Sequence, residues 1–375
     1  MSNLVHIAQQ LANTVEKTAV VKDSAGHHLT EEVEKLKKSG ILAAVVLQRL
    51  GGPETQPTDI AEIFRLLGTA DGSFAQIPQS HFVFSRWLFS GEKPDEEDKW
   101  AQRLIGGALI ANAQAELGEP TILHKDGEHF LLKGEKRFCT GSIHADYLAI
   151  TARKPGDDNQ TLGIFLPVDS PGIEIIDDWD GLGQKLSGSG TVRLNDVECT
   201  NSDIYTFDAA LQLPTYGSFA QLLHLGIDVG ILDAALNDAF SHLNSRTWPQ
   251  PGHDNPSDTL TYHLAGELQA QRFAANASLE KAAAAVEAAW NDEASNEDAA
   301  LAVAAAKTVV SSASVDIASR AYELLGTVVA TGSDPFVRYW KNLRTHTLHE
   351  RRRDKLAAVG RAVVTGQPPQ LSTKF

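Results

Sequence analysis

Cysteine is scarce in this chain: 375 residues contain only Cys139 and Cys199. Two cysteines build no disulfide framework and no Cys/His spacing matches a zinc site, which points to a reducing compartment and to no bound metal. Positive charge is also in deficit. Lys and Arg total 33 against 48 Asp and Glu, a formal charge of -15. No basic field exists to gather phosphates, which argues against a nucleic acid or an anionic membrane as partner. The N-terminus, Ser2-Asn3-Leu4-Val5-His6-Ile7, lacks a basic leader followed by an apolar stretch, and no window reads as the roughly 18 apolar residues of a membrane span. The expected location is cytoplasmic. Phosphate-binding GxGxxG and Walker strings are missing, which removes the usual nucleotide folds. What the chain does have is 42% hydrophobic residues, ample for a packed core in one large or two to three smaller domains.

The periodicity changes twice. Up to about residue 113 it is helical, with a charged amphipathic segment from Glu31 to Lys38 ending at Ser39-Gly40, a loop at Gly51-Gly52-Pro53 and a helix from Thr58 to Leu67. From about 120 to 200 the period becomes two. Asp126-Gly127 turns a hairpin, and strands are expected at Phe130–Phe138, Tyr147–Arg153, Leu162–Val168 and Thr191–Val197, with turns at 155–159 and Pro171-Gly172. Beyond 206 the helical signal returns, in long segments from Ser257 to Trp290 and from Ser295 to Leu325. Ser295 and Asp298 suggest a capping box, and Gly326 stands where a C′ glycine belongs. Helices, strands, then helices make an α+β order with expected domains 1–113, 114–205 and 206–375.

Taken alone, the residues that stand out have ordinary explanations. Trp179 reads as a half-buried aromatic, Thr140-Gly141 and Ser187–Gly190 as turns, and Arg246 as a surface charge. His81, His346 and His349 differ in kind, because an imidazole exchanges protons near neutral pH. His346 and His349 are three apart and share a face on a helix, a spacing that also suggests a metal, although no third ligand or carboxylate is evident nearby. Cys139 has no charged helper in sequence and is not read as a nucleophile.

Four strings carry a resemblance along nearly the whole chain: Lys136-Arg137-Phe138-Cys139-Thr140-Gly141, Trp179-Asp180-Gly181-Leu182-Gly183-Gln184, Ser187-Gly188-Ser189-Gly190 and Arg344-Thr345-His346-Thr347-Leu348-His349. With the element order, they resemble the acyl-CoA dehydrogenase superfamily, and Thr-His-Thr-Leu-His resembles its flavin-dependent monooxygenase branch. The resemblance implies an N-terminal helical domain, a small central β-barrel domain and a C-terminal four-helix bundle, with a flavin between sheet and helices. It implies Asn112, Thr140, Trp179, Ser187, Ser189 and Arg246 as flavin contacts. Thr140 would set its hydroxyl and N–H near the reactive edge of the ring, and Arg246 would take the phosphate. His81, His346 and His349, with Thr140, become the catalytic candidates. The implied chemistry is oxygenation of a small organosulfur or aromatic substrate through a C4a-hydroperoxide of reduced FMN, which a separate NAD(P)H-dependent reductase supplies. A homotetramer is implied too, with Ala282–Ala306 offering a small-residue face either for that assembly or for packing within the chain.

One departure opens a second reading. Glu350 falls where dehydrogenases of this superfamily carry their catalytic glutamate, which makes it a candidate base for an acyl thioester with FAD as hydride acceptor. The Gly-Thr that follows in dehydrogenases is replaced here by Arg351-Arg352-Arg353, and bulky cations do not allow the backbone approach that glycine allows. The Arg-x-x-Phe-Gly element for the FAD pyrophosphate is also absent near Arg246, which favours the shorter FMN. The arginine run is expected to disfavour the protonated form of His349. A third reading, a flavin-free binding or scaffold protein, is discriminated by testing for flavin binding.

Overall fold

Six α-helices precede the first strand in the computed structural model, which describes residues 2–127, 129–154, 156–245, 259–331 and 334–375. They are α1 (Asn3–Ala25), α2 (Thr30–Lys38), α3 (Pro57–Ala70), α4 (Gly72–Gln76), α5 (Gln79–Leu88) and α6 (Pro94–Ile105). In α2, Glu31 and Glu32 occupy the first turn and Lys35, Lys37 and Lys38 the last, the arrangement that complements the helix dipole. α3 starts on Pro57, whose missing N–H is one the first turn leaves unpaired anyway.

The strands are β1 (Ile110–Ala113), β2 (Ile122–Asp126), β3 (His129–Lys136), β4 (Tyr147–Lys154), β5 (Asp157–Pro167), β6 (Ile173–Ile176), β7 (Thr191–Cys199) and β8 (Ile204–Thr206). β1 lies inside the stretch expected to be helical and pairs in parallel with β4. β5 begins inside the stretch expected to be a turn. The hairpin at Asp126-Gly127 forms as expected, with Gly127 at φ 61°. The sheet runs β6-β7-β3-β2-β4-β5-β8, with β1 beside β4. This is an open sheet and not the expected closed barrel: its end strands, β6 and β8, do not pair with each other. Both are short, which limits the edge they leave unpaired, and the Trp87 indole caps the β8 end by donating to the Thr206 carbonyl at 3.0 Å.

Helices resume with α7 (Phe207–Gln212), α8 (Tyr216–Ser245), α9 (Thr259–Trp290), α10 (Asn296–Leu325), α11 (Val337–His346) and α12 (Arg352–Thr365). Ser295 Oγ accepts from the Asp298 N–H at 3.0 Å, and Gly326 follows α10 at φ 73°. α8 has no sharp boundary in the sequence because it is buried on nearly every side and so lacks an amphipathic stripe. Against the expectation from sequence, α8 and α10 are each long and apolar enough to cross a membrane, but the most apolar windows are 94% and 56% buried inside the protein. They are core helices. Ala282, Ala283, Ala289, Ala299, Ala300 and Ala304 face the chain's own interior, so this alanine stretch serves packing within the chain.

The helices at both ends of the chain share one core, and the sheet keeps a second around Leu132, Leu148, Ile150, Ile164 and Val192. Trp87 of α5 and Trp100 of α6 meet Phe165 of β5 edge-on at 5.6 and 5.8 Å and fasten helices to sheet. α3 and α8 cross at backbone contact: a Cβ at Gly230 would sit 2.1 Å from the Arg65 carbonyl, and one at Gly68 2.9 Å from that of Ile227. That crossing fixes α8, which carries the site's least expected residues.

Candidate active site

A cavity of about 900 Å³ opens between the sheet and the C-terminal helices. Its sheet wall holds Asn112, Phe138, Thr140, Trp179, Gln184 and Ser189. Its helical wall holds Gln76, Tyr216, Gln221, His224, His349 and Glu350, and Thr373 and Lys374 of the C-terminal tail reach its rim.

On the sheet side, Phe138 and Trp179 meet edge-on at 6.1 Å, and Phe138 is 49% exposed, an apolar surface open to a planar ligand. The Trp179 indole donates to the Gln184 carbonyl at 2.9 Å. The hydroxyls beside it form a chain whose direction is forced. Ser187 donates to the Gln184 carbonyl at 2.8 Å, so Ser189, 2.7 Å away, must donate to Ser187, and Thr140, at 2.8 Å, must donate to Ser189. Thr140 is left with lone pairs to offer. Its N–H, expected to face a flavin, is instead taken by the Phe138 carbonyl at 2.9 Å, in a three-residue turn centred on Cys139. Ser187 is buried behind Ser189. Asn112 lines the cavity and donates to Ser80 at 3.3 Å.

On the helical side, three imidazoles converge. His224, His346 and His349 have ring centroids 4.9–5.0 Å apart. His346 Nδ1 lies 2.6 Å from Asp228, whose other oxygen is 3.3 Å from the Lys307 ammonium. His349 donates from Nδ1 to the His346 carbonyl at 2.9 Å, leaving Nε2 as its acceptor. Burial is the main cause that lowers the His349 pKa to about 4, and nearby His346 and Lys307 add to it. The arginine run, expected to have this effect, is exposed instead, with Arg352 donating to the Thr308 carbonyl at 3.1 Å. His349 meets solvent only through the cavity it lines, so the burial that lowers its pKa comes from the protein atoms crowded around the ring. His224 is held well below its ordinary value by burial and by the two other imidazoles. For Asp228 burial pulls upward, but Lys307 and His346 outweigh it and keep the carboxyl below its usual range.

His81 is not brought to this cluster. It is fully buried in α5, donating from Nε2 to the Leu42 carbonyl at 2.7 Å and accepting at Nδ1 from the Ile110 N–H at 3.1 Å. Both nitrogens are spent on backbone, so the ring ties α5 to β1 and has nothing left for chemistry. Arg246 lies outside the described residues. Cys139 is buried with its thiol pushed up to about 12, in keeping with no nucleophilic role. Sequence reasoning missed Gln76, His224, Asp228 and Lys307. The available signal was an ionisable pair, His224 and Asp228, four apart within an otherwise apolar stretch, since a buried charge persists only when paired.

Two family models match the chain: the acyl-CoA dehydrogenase middle domain over residues 112–197 and the acyl-CoA dehydrogenase C-terminal domain over residues 222–353. A dibenzothiophene monooxygenase of Mycolicibacterium goodii is 27% identical, with 97% of this chain and 94% of that protein covered. A probable FMNH2-dependent monooxygenase, SfnC, of Pseudomonas putida is 27% identical over 92% and 90% of the two chains. The solved structure of methanesulfinate monooxygenase MsuC from Pseudomonas fluorescens superposes with a TM-score of 0.93 at 25% identity, both chains being covered completely.

Proposed function

The chain belongs to the acyl-CoA dehydrogenase family, in its flavin-dependent monooxygenase branch, and from that premise we propose that it binds reduced FMN and uses O2 to oxygenate a small organosulfur compound. The observation that carries this reading is the pairing of an exposed aromatic wall, Phe138 and Trp179, with a histidine cluster across one cavity. The cavity fits a flavin. Its volume of about 900 Å³ is at the upper end of small-molecule sites, and the buried Gln221 Oε1 has no partner among the described residues and sits in its wall.

Reduced FMN, when bound, supplies the electrons that activate O2. The chain's own residues position and protonate. Phe138 and Trp179 would pack against the flavin ring, and Thr140, its proton committed to Ser189, would accept from a ligand N–H. His349, neutral above pH about 4, takes up a proton at Nε2 as oxygen is transferred. Val83, Phe84 and Leu348 give the cavity an apolar lining that limits water.

The reduced cofactor comes from a separate flavin reductase, and the protein works in the cytoplasm as a homotetramer. Support for assembly comes from Phe273, Val363 and Val364, which are 74%, 82% and 83% exposed in the single chain. Glu350 lines the same cavity, which supports one alternative, an acyl-CoA dehydrogenase using FAD. Two experiments separate the readings. FMN and FAD affinities are compared side by side in both redox states, and an alkanesulfinate or aromatic thioether is turned over with reduced FMN under 18O2. Tight binding of reduced FMN with one 18O atom in the product is expected; FAD preference and no incorporated label would overturn the proposal.

A further inference from the structure

With the Gln76 amide oriented as it stands, every donor and acceptor around the three imidazoles finds a partner in one arrangement, starting from His349. Its Nδ1 faces the His346 carbonyl at 2.9 Å, and a carbonyl only accepts, so Nδ1 carries the proton and the neutral ring leaves a lone pair on Nε2. Gln76 Nε2 lies 3.5 Å from that lone pair, which orients the amide with its N–H toward His349 and its oxygen toward His346. Gln76 Oε1 stands 2.9 Å from His346 Nε2. An oxygen there requires a proton on His346 Nε2. At the other side of the ring, Nδ1 is 2.6 Å from the Asp228 carboxylate, which likewise only accepts.

We propose that His346 carries both of its ring protons in the resting protein, held by Asp228, and acts as the proton donor of the site through His224, while His349 acts as the acceptor. Asp228 is thus a positioning residue for the reaction. His224 Nδ1 lies 3.0 Å from His346 Nε2, and His224 lines the cavity. In the transfer, the His346 Nε2–H bond breaks as a proton binds Nδ1 of His224, and His224 releases its own Nε2 proton into the cavity. His346 ends neutral, still donating from Nδ1 to Asp228, and is recharged by the reverse path, a proton from cavity water returning through His224.

Every charged or titratable group that faces His346 among the described residues fits this division. Asp228 and His224 come from α8, Lys307 from α10, His349 from the turn after α11, and Lys355 of α12 acts on His224 at longer range. With Asp228 negative and Lys307 and His346 positive, the floor of the cavity carries one net positive charge, suited to an anion forming above it. Asp228 and His346 are fully buried, so the pair is little screened.

This inference rests on the proposed oxygenase reading for its catalytic meaning and not for its geometry. The test is 15N NMR of the full chain labelled at its histidines, at pH 8, where solvent-exposed imidazoles have lost their second proton. One histidine with two protonated ring nitrogens is expected, with and without FMN. A spectrum in which every histidine is singly protonated overturns the proposal. Asp228→Asn should abolish that signal with the helical circular dichroism intact, and should lower product formed per reduced FMN at least tenfold. Retention of the signal in a folded variant also overturns it. Failure of the wild type to bind FMN would sink the oxygenase reading while leaving the NMR result to decide the protonation state.

Discussion

Replacing His81 by alanine should unfold the protein more readily without touching its chemistry, the reverse of what the sequence suggests for a histidine in this superfamily. The ring is wholly buried, and its loss strands the Leu42 carbonyl and the Ile110 N–H, each a buried group now without a partner. Such orphaned groups cost about 1–3 kcal/mol apiece. The space left by the ring, packed edge-on against Phe82 at 5.7 Å, adds about 2 kcal/mol. A total on the order of 5 kcal/mol is a large part of the roughly 5–15 kcal/mol that holds a typical domain together. Equilibrium urea denaturation followed by circular dichroism reads this directly, as a lower midpoint at unchanged slope. The same residue carries a pH signature. Burial lowers its pKa from 6.5 to about 4, so the native ring stays neutral while the unfolded chain takes up a proton below pH 6.5. Its contribution is complete above that pH, declines as pH falls toward 4, and amounts to about 3 kcal/mol. The variant should therefore lose less stability than the wild type between pH 6.5 and 4. His81→Gln, with a donor and an acceptor, should recover part of the loss. The reasoning is refuted if His81→Ala keeps wild-type stability while releasing hydrogen peroxide in place of product.

Other perturbations separate packing from chemistry. His349→Ala should keep stability within about 1 kcal/mol yet uncouple the reaction, with reduced FMN consumed and hydrogen peroxide measured in place of product; retained coupling would remove His349 from the mechanism. Thr140→Val removes the free end of the hydroxyl chain, and fluorescence titration should show reduced FMN binding weakened by about tenfold, the worth of one hydrogen bond. Unchanged affinity would mean that no ligand N–H meets this hydroxyl. Gly230→Ala drives a methyl group to 2.1 Å from the Arg65 carbonyl and should cost about 1–3 kcal/mol by forcing α3 and α8 apart, read as a lower thermal midpoint; an unchanged midpoint would show that the crossing tolerates a side chain.

Element order was legible because it depends on local periodicity. The Asp126-Gly127 hairpin, the strand starting at Thr191 and the helix ending at Leu325 all announce themselves through turn residues and caps. β1 did not, since four residues are too few for a period and its pairing with β4 depends on tertiary contact. The sheet's open ends are equally non-local. Within the site, Thr140, Trp179, Ser189 and His349 do line the cavity, and they stand in strings with distinctive composition. His224, Asp228 and Lys307 stand in long featureless helices, and nothing local says that residues 79 and 118 positions apart will meet. His81 shows the converse: a residue type that suggests catalysis, placed where only its two nitrogens and its shape are used.

The central claim is that reduced FMN in this cavity meets oxygen and passes an oxygen atom to substrate. It is tested most directly by reducing FMN anaerobically on the protein and mixing rapidly with O2 while recording absorbance. A transient species distinct from oxidised flavin, decaying faster with an organosulfur substrate, is the predicted result. Direct reappearance of oxidised flavin, together with bleaching of the oxidised cofactor by an acyl-CoA, would contradict the claim and assign the cavity to Glu350 and dehydrogenation.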